Sequence, residues 1–354
     1  MARSRRHDRS APMLAKLEAE IPRGAGWTYE PKWDGFRTIV TAGGPDPARI
    51  SLVSRDDRPM MRFFPEVVAM LAERPAPAFV ADGEIILVRP GRLAFDELQL
   101  RLHPAASRVT KLAAEIPATL ILFDLLEEAG EDMRDLPLER RRGRLTSLGD
   151  RLAAPRAPER LEELPPGPDL RLTPWTDDVG VAERWFADEA GLGQDGIVAK
   201  RVDQTYLPGQ RGWVKVKHRR TADCVVGGYR VAKGGVGVAS LLLGLYDPAG
   251  NLHYVGHTSS FRAAERIALR ERLASLEGGE SFGGGREPGG PSRWSAGKDM
   301  SWVELEPTLV CEVSFDRIQG GRFRHAATFV RWRSDREPGS CTFDQLGESP
   351  PSWA

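Results

Sequence analysis

Short runs of Ile, Val, Leu and Phe, each cut off by Gly, Pro or Asp, recur along the first portion of the chain. They predict strands over 36–40, 50–54, 79–81, 85–88 and 120–123. Between them the spacing turns helical. Residues 65–72 read as a helix, and 137–148 begin on a favourable first-turn proline, Pro137, with Leu138, Leu145 and Leu148 on one side of a very basic helix. Residues 151–168, rich in Pro, Glu and Arg, read as a surface connection, and a helix over 181–190 carries Trp185 and Phe186. The character changes near 219–223. Beyond it come strand-like runs at 225–229, 241–246, 252–255 and 309–313, one amphipathic helix over 261–273 and a Gly-rich surface loop over 278–291. The pattern predicts an α+β chain of two domains, 1–221 and 222–354, the second a small β-barrel, with no internal repeat.

Composition narrows the class. The 354 residues are 41% hydrophobic and 28% charged, the profile of a soluble globular protein with room for two real cores. Net charge is +0, so any polyanion must be held by local clusters of one sign. No apolar run is long enough to span a bilayer, and the basic, polar start lacks the apolar core of a signal peptide, which predicts a cytoplasmic protein without a membrane partner. Cys224, Cys311 and Cys341 are odd in number and far apart, which argues against a disulfide framework or a Cys-rich zinc site. His253 and His257 are four apart, but Tyr254, Val255 and Gly256 between them read as a strand entering a turn rather than a metal-binding helix face.

Candidate chemistry centres on Lys32-Trp33-Asp34-Gly35-Phe36-Arg37. A lysine beside an Asp-Gly turn, flanked by aromatics and closed by arginine, suits attack on phosphorus. The free amine has a pKa of ~10.4, so it needs apolar walls or cations to lower it, or a base to take its proton. A plain hairpin turn would explain the Asp-Gly pair equally well. Asp82-Gly83-Glu84 sits between two apolar runs and reads as a strand pair presenting a carboxylate. Gln194-Asp195-Gly196-Ile197-Val198-Ala199-Lys200 repeats the logic with an acid at a turn, an apolar strand and a cation. Glu84 and Asp195 could together hold a divalent ion, since magnesium uses one or two carboxylates plus phosphate oxygens. In Trp213-Val214-Lys215-Val216-Lys217-His218, strict alternation puts Lys215 and Lys217 on one face, suited to phosphate oxygens or simply to water. Phe123, at a strand end, offers a ring on which a purine could stack, or a core residue. Arg322, Arg324 and His325, then Arg331-Trp332-Arg333-Ser334-Asp335-Arg336, fit phosphate recognition or a solvated basic face, with Trp332 turned to the core.

In order, Lys32-Trp33-Asp34-Gly35, Ser54-Arg55, Asp82-Gly83-Glu84, Phe123-Asp124, Asp195 through Lys200, Lys215-Val216-Lys217 and Arg333-Ser334-Asp335-Arg336 form a series that resembles the ATP-dependent DNA ligases. The end of the chain, from Arg324 to Arg333, resembles the small bacterial ligases of the ligase C type and the ligase domain of bacterial end-joining proteins. The resemblance implies a nucleotidyltransferase (adenylation) domain followed by an OB-fold domain. It also implies attack of Lys32 on ATP to give a lysyl-AMP, transfer of AMP to the 5′-phosphate of a nick in double-stranded DNA, and sealing by the 3′-hydroxyl. By position Lys32, Asp34 and Arg37 would be catalytic. Glu30 and Lys32 would line the adenylate pocket, with Arg37 and Arg55 near the ribose or the nick phosphate. Glu84 would bind ribose or metal, Phe123 would stack on adenine, Asp195 would bind Mg2+ or Mn2+, and Lys215 and Lys217 would hold the α-phosphate. Arg333 and Arg336 would orient the departing pyrophosphate.

Two positions depart from the family pattern. Asp195 stands where glutamate is common, shortening the carboxylate's reach, and Arg336 stands where lysine is usual, keeping the charge in a different shape. DNA contact is expected through the OB domain and the basic strips around Arg201, Arg211, Arg219 and Arg220, with a hinge over 217–223. The expected molecule is a monomer acting on nicked duplex DNA, with other DNA-repair proteins as candidate partners. An RNA ligase, a GTP-using capping enzyme and a catalytically silent OB-fold binder are the competing readings. Choice of nucleotide, acceptor strand and turnover separate them.

Overall fold

The computed structural model describes residues 11–44, 49–188, 195–218, 220–232, 234–282, 287–288 and 301–346. The chain divides into two compact units, Met1–His218 and Arg219–Ala354.

In the first unit the strands are β1 (Leu14–Glu18), β2 (Trp27–Pro31), β3 (Phe36–Ala42), β4 (Ser51–Ser54), β5 (Phe79–Ile86), β6 (Val88–Arg89), β7 (Arg92–Leu93), β8 (Thr119–Glu128), β9 (Glu131–Asp132), β10 (Asp169–Leu172), β11 (Ile197–Arg201) and β12 (Arg211–Val216). They build one sheet in the order β1-β12-β11-β2 and another in the order β10-β8-β5-β3-β4. The helices are α1 (Pro65–Ala72), α2 (Phe95–Leu100), α3 (Ala106–Glu115), α4 (Leu138–Arg151) and α5 (Val179–Ala187). The larger core joins Val40, Leu52, Phe79, Leu120 and Leu122 from the second sheet to Phe64, Val67, Leu71, Leu98, Leu112 and Leu148 from the helices and their flanks. Each such side chain contributes about 1.5–3 kcal/mol by leaving water. A separate cluster, Tyr29, Ala182, Trp185, Ile197 and Ala199, fixes α5 to the first sheet.

Several expectations are corrected here. Asp82-Gly83-Glu84 does not separate a pair of strands: it lies inside β5, which is paired on both sides, with Glu84 opposite Arg37 of β3 and Ile121 of β8. The ladder to β3 runs unbroken through the glycine, while that to β8 shifts register between Asp82 and Gly83. A Cβ on Gly83 would sit 2.6 Å from the Ile121 carbonyl oxygen, so the residue serves strand approach and not a turn. Phe123 lies in mid-strand, because β8 runs on to Glu128. Residues 151–168 are more than a surface connection, since Ala157, Leu161 and Leu164 are buried against Trp33, Ile86 and Ile121. The helix expected over 181–190 is α5, ending at Ala187 where Asp188 turns extended, and 189–190 lie outside the described residues. Lys217 lies one residue past the end of β12, so the strand itself carries only Lys215.

In the second unit β13 (Arg220–Val231), β14 (Val238–Tyr246), β15 (Leu252–Thr258), β17 (Val310–Phe315) and β20 (Thr328–Trp332) pair in the order β15-β14-β13-β17-β20, with β16 (Val303–Glu304) on β13. The short pair β18 (Ile318–Gln319) and β19 (Arg322–Phe323) and the helix α6 (Ala263–Leu273) complete it. Ala327, just before β20, donates its backbone N–H to the His257 carbonyl of β15 at 2.9 Å, and this bridge curls the sheet into a barrel. The five-stranded barrel is the OB-fold expected of the C-terminal region. Its core holds Tyr229, Leu241, Leu243, Val255, Phe282 and Val313, together with Cys224, Cys311 and Cys341, all three free thiols and fully buried. Trp332 packs against this core, as alternation predicts. The Gly-rich stretch over 278–291 is not wholly a surface loop, since Ser281 and Phe282 are buried, Phe282 in this core; 283–286 and 289–291 lie outside the described residues.

Candidate active site

Lys32 directly follows β2, and its backbone N–H donates to the Gly196 carbonyl at 2.9 Å. That bond joins the Lys32 segment to the turn that carries Asp195. Two glycines make the approach possible. Gly35 passes so close to β5 that a Cβ would lie 2.1 Å from the Ile85 carbonyl oxygen, and Gly196, at φ +114, would place one 2.0 Å from the Val216 oxygen. Only glycine tolerates both the positive φ and the contact. Trp33 is buried and its indole N–H donates to the Thr173 hydroxyl at 3.0 Å, so the residue after Lys32 is anchored.

Around the Lys32 amine the structure assembles several of the predicted residues. Its Nζ donates to the Asp195 carboxylate, and the Lys217 ammonium reaches the other oxygen of that group at 3.8 Å. Burial pulls the Lys32 pKa down, but Asp195, Glu84 and Asp34 together outweigh it and hold the amine above the ordinary lysine value. The expectation that neighbours lower this pKa is therefore reversed within the protein's own residues. Glu84 responds oppositely: burial pushes its carboxyl up to about 8 against the pull of Lys32 and Arg37. The Lys215 pKa is lowered by burial and by the charges of Lys32, Lys217, Arg211 and Arg55. Opposed shifts in one place are common at catalytic sites and also arise in buried ion-pair networks. Glu84 and Asp195 supply the carboxylate oxygens that a hard divalent cation prefers, and both interact electrostatically with Lys32. Among the described residues no group of three acidic, His or Cys side chains converges as a complete metal cage. An ion here would draw its remaining ligands from phosphate and water.

Arg37 is not aimed at open solvent. Its guanidinium grips Asp82 through Nε at 3.0 Å and Nη2 at 2.6 Å, and the Tyr206 hydroxyl donates to the same carboxylate at 2.6 Å. It also lies 5.0 Å from the Trp213 ring and 5.7 Å from Phe123, bridging the two sheets. Phe123 meets Trp213 edge to face, and the Lys200 ammonium lies 4.8 Å from one ring and 4.4 Å from the other. Glu30 is almost fully buried between Lys200, at 2.7 Å, and Arg142. Arg142 in turn donates to the Thr28 hydroxyl at 2.8 Å. Pairing is what allows such charges inside.

Arg55 stays apart: its side chain is 63% exposed on the turn after β4, 3.5 Å from Asp56, and touches the cluster only through its charge. Arg201 pairs with Asp203, Arg211 is exposed, and Arg219 lies outside the described residues. Arg333 and Arg336 belong to the second unit. There Arg333 bonds both Asp223 and Asp335, while Arg336 lies 3.6 Å from Asp223. Sequence reasoning quoted Lys200, Asp82 and Trp213 without giving them roles, and it missed Tyr206, Arg142 and Asp223. Arg141 and Arg142 in the basic helix α4 are buried only because Asp124 and Glu30 meet them. An Arg-Arg pair on a helix with leucines on one side is the one local signal that could have suggested it.

The chain matches the family model described as the ATP dependent DNA ligase domain over residues 12–217, and that of the ATP dependent DNA ligase C terminal region over 234–336. It is 46% identical to DNA ligase C2 of Mycolicibacterium smegmatis, over 96% of this chain and 95% of that protein. It is 31% identical to the multifunctional non-homologous end joining protein LigD of Mycobacterium bovis, over 94% of this chain but only 39% of that one. In three dimensions it is similar to a Lig E DNA ligase, with a TM-score of 0.54 at 19% identity, covering 91% of this chain and 99% of that chain, a likeness of fold. The ordered series of motifs and the two consecutive family matches agree, and the chain belongs to the ATP-dependent DNA ligases.

Proposed function

We propose that Lys32 is the nucleophile of a nick-sealing reaction on duplex DNA. The observation that carries it is the convergence of Asp195, Glu84, Lys215 and Lys217 on its amine. The Nζ lone pair forms a bond to the α-phosphorus of ATP while the bond to the pyrophosphate oxygen breaks, giving a lysyl-AMP. The 5′-phosphate of the nick then takes the AMP from Lys32. Finally the 3′-hydroxyl attacks that activated phosphate and AMP departs. Glu84 and Asp195 would hold a magnesium or manganese ion, which supplies screening of the triphosphate charge when bound. Once Asp195 turns from Lys32, the ammonium loses the carboxylate that keeps it protonated and releases a proton to water, and burial then favours the neutral, nucleophilic form. Lys215 and Lys217 would hold the α-phosphate, a role supported by the charge interactions that tie Lys215 to Lys32 and Lys217 to Asp195. Phe123, half-buried and packed edge to face on the buried Trp213, would offer its ring to the adenine.

Residues 1–221 are assigned as the adenylation domain and 222–354 as the OB-fold domain; the two compact units support this reading but divide after His218, which keeps all of β13 in the second. Arg37 and Arg55 toward the ribose or nick phosphate, Asp34 beside the nucleophile, and Arg333 and Arg336 toward pyrophosphate complete it. The same reading makes the protein a cytoplasmic monomer acting in DNA repair beside other repair proteins. Among the described residues no helix is long and apolar enough to cross a membrane.

The test is to incubate the protein with α-labelled ATP and a divalent metal, then denature it. Wild type should keep the label and Lys32→Ala should not. Nicked DNA should discharge the label and yield sealed product. Label that persists in the presence of the nick, or that attaches equally to Lys32→Ala, would overturn the assignment.

A further inference from the structure

Asp223 has no role in the reading above, yet both arginines assigned to pyrophosphate converge on it. It sits in β13 opposite Glu312 of β17, and its backbone is clamped by one side chain. The Asp223 N–H donates to Gln345 Oε1 at 2.8 Å, and Gln345 Nε2 donates back to the Asp223 carbonyl at 3.0 Å. The carboxylate is therefore fixed. Arg333 Nη1 donates to both its oxygens, at 3.0 and 2.9 Å, and Arg336 Nε lies 3.6 Å away.

The other side of Arg333 is different. Its Nε and Nη2 form a two-pronged grip on Asp335, both at 2.9 Å, the planar geometry with which a guanidinium also holds two phosphate oxygens. Asp335 is 63% exposed, whereas Asp223 is 13% exposed. The outer carboxylate is thus a replaceable occupant and the inner one a permanent anchor. Once Asp335 yields, two arginines share one anionic partner and present a net positive charge.

We propose that Asp223 is the positioning residue that aims Arg333 and Arg336 at the pyrophosphate of ATP during adenylation of Lys32. Asp335 marks the place that phosphate oxygens take. The proposal rests on the reading of those arginines given under Proposed function. It does not make Asp223 a catalytic residue, because its oxygens face arginine and not substrate.

The test compares Asp223→Asn, Asp223→Glu, Arg333→Ala and the double variant Asp223→Asn/Arg333→Ala, each first shown by its melting curve to be folded. Two rates are read: single-turnover label transfer from α-labelled ATP to the protein, and sealing of a nick whose 5′-phosphate is already adenylated, which involves no pyrophosphate. Asp223→Asn should slow adenylation at saturating ATP about tenfold, the scale of a lost charge-assisted contact. It should leave sealing of the adenylated nick within about twofold. Asp223→Glu should recover some of the loss, and Asp223→Asn should add nothing in the Arg333→Ala background. Unchanged or faster adenylation in Asp223→Asn, with Arg333→Ala slow, would overturn the proposal, as would equal loss in both steps. If Arg333→Ala itself adenylates normally, the reading of Arg333 fails instead.

Discussion

Lys32, the proposed nucleophile, is held in its protonated form chiefly by the carboxylate of Asp195. Asp195 is the largest favourable charge on the ammonium, so Asp195→Ala should lower the Lys32 pKa. The pH dependence of its modification by an amine-directed reagent should move to lower pH in that variant. A profile that stays in place or moves up would contradict the electrostatic account. Glu84 gives a second handle. It holds its proton to about 8 in the fold but only to 4.5 as a free side chain, so the folded state binds more protons across that window. Stability therefore falls as pH rises from the lower value to the upper one, because ionising Glu84 in place is costly. Glu84→Gln removes that slope. Its melting temperature relative to wild type should rise steadily between about pH 5 and pH 8, and a constant difference would mean that Glu84 ionises normally.

Elements reach this arrangement through two places where backbone nearly touches backbone. Gly196→Ala would bring a methyl group 2.0 Å from the Val216 oxygen at a φ unsuited to a side chain. It should cost roughly 2–4 kcal/mol and move Asp195 off Lys32. Thermal denaturation and label uptake should fall together; a stable, fully active variant would show that the turn has slack. The sequence showed this much directly, since acid-glycine pairs ahead of apolar runs name Lys32, Glu84 and Asp195 without any structure. It could not show that the Glu84 pair lies in mid-strand, because a glycine demanded by close strand pairing looks the same in one dimension as a glycine demanded by a turn. Nor could it show the buried Glu30-Lys200-Arg142 network or the Asp223 anchor. Those depend on partners far along the chain, where a basic helix and an edge strand read as solvated faces. Short α2 and α3, with six and ten residues, carry too few apolar repeats to stand out.

The whole molecule consists of two units with separate cores, and the boundary between them falls after His218. The hinge expected over 217–223 is shorter than that, because 220–223 already belong to β13 and pair with β17. A glycine or proline at His218 or Arg219 should change sealing turnover more than ATP binding, because the proposed steps ask the second unit to serve nucleotide and DNA in turn. Equal effects on both would count against a hinge there. Nick affinity should fall steeply with salt, since a chain of net charge +0 can hold DNA only through local arginine and lysine clusters that displace counterions. A flat salt response would refute such contacts.

All three cysteines of the chain lie in the barrel core and none in the adenylation unit. The protein thereby carries its own kinetic reporter. A small thiol reagent can react only when the barrel opens, and the raised pKa of each buried thiol keeps the folded background low. The rate at which mass tags accumulate therefore times the opening of one half of the enzyme while the other half remains silent. With ATP present, any slowing of that clock would measure how firmly an event at Lys32 is felt in the barrel.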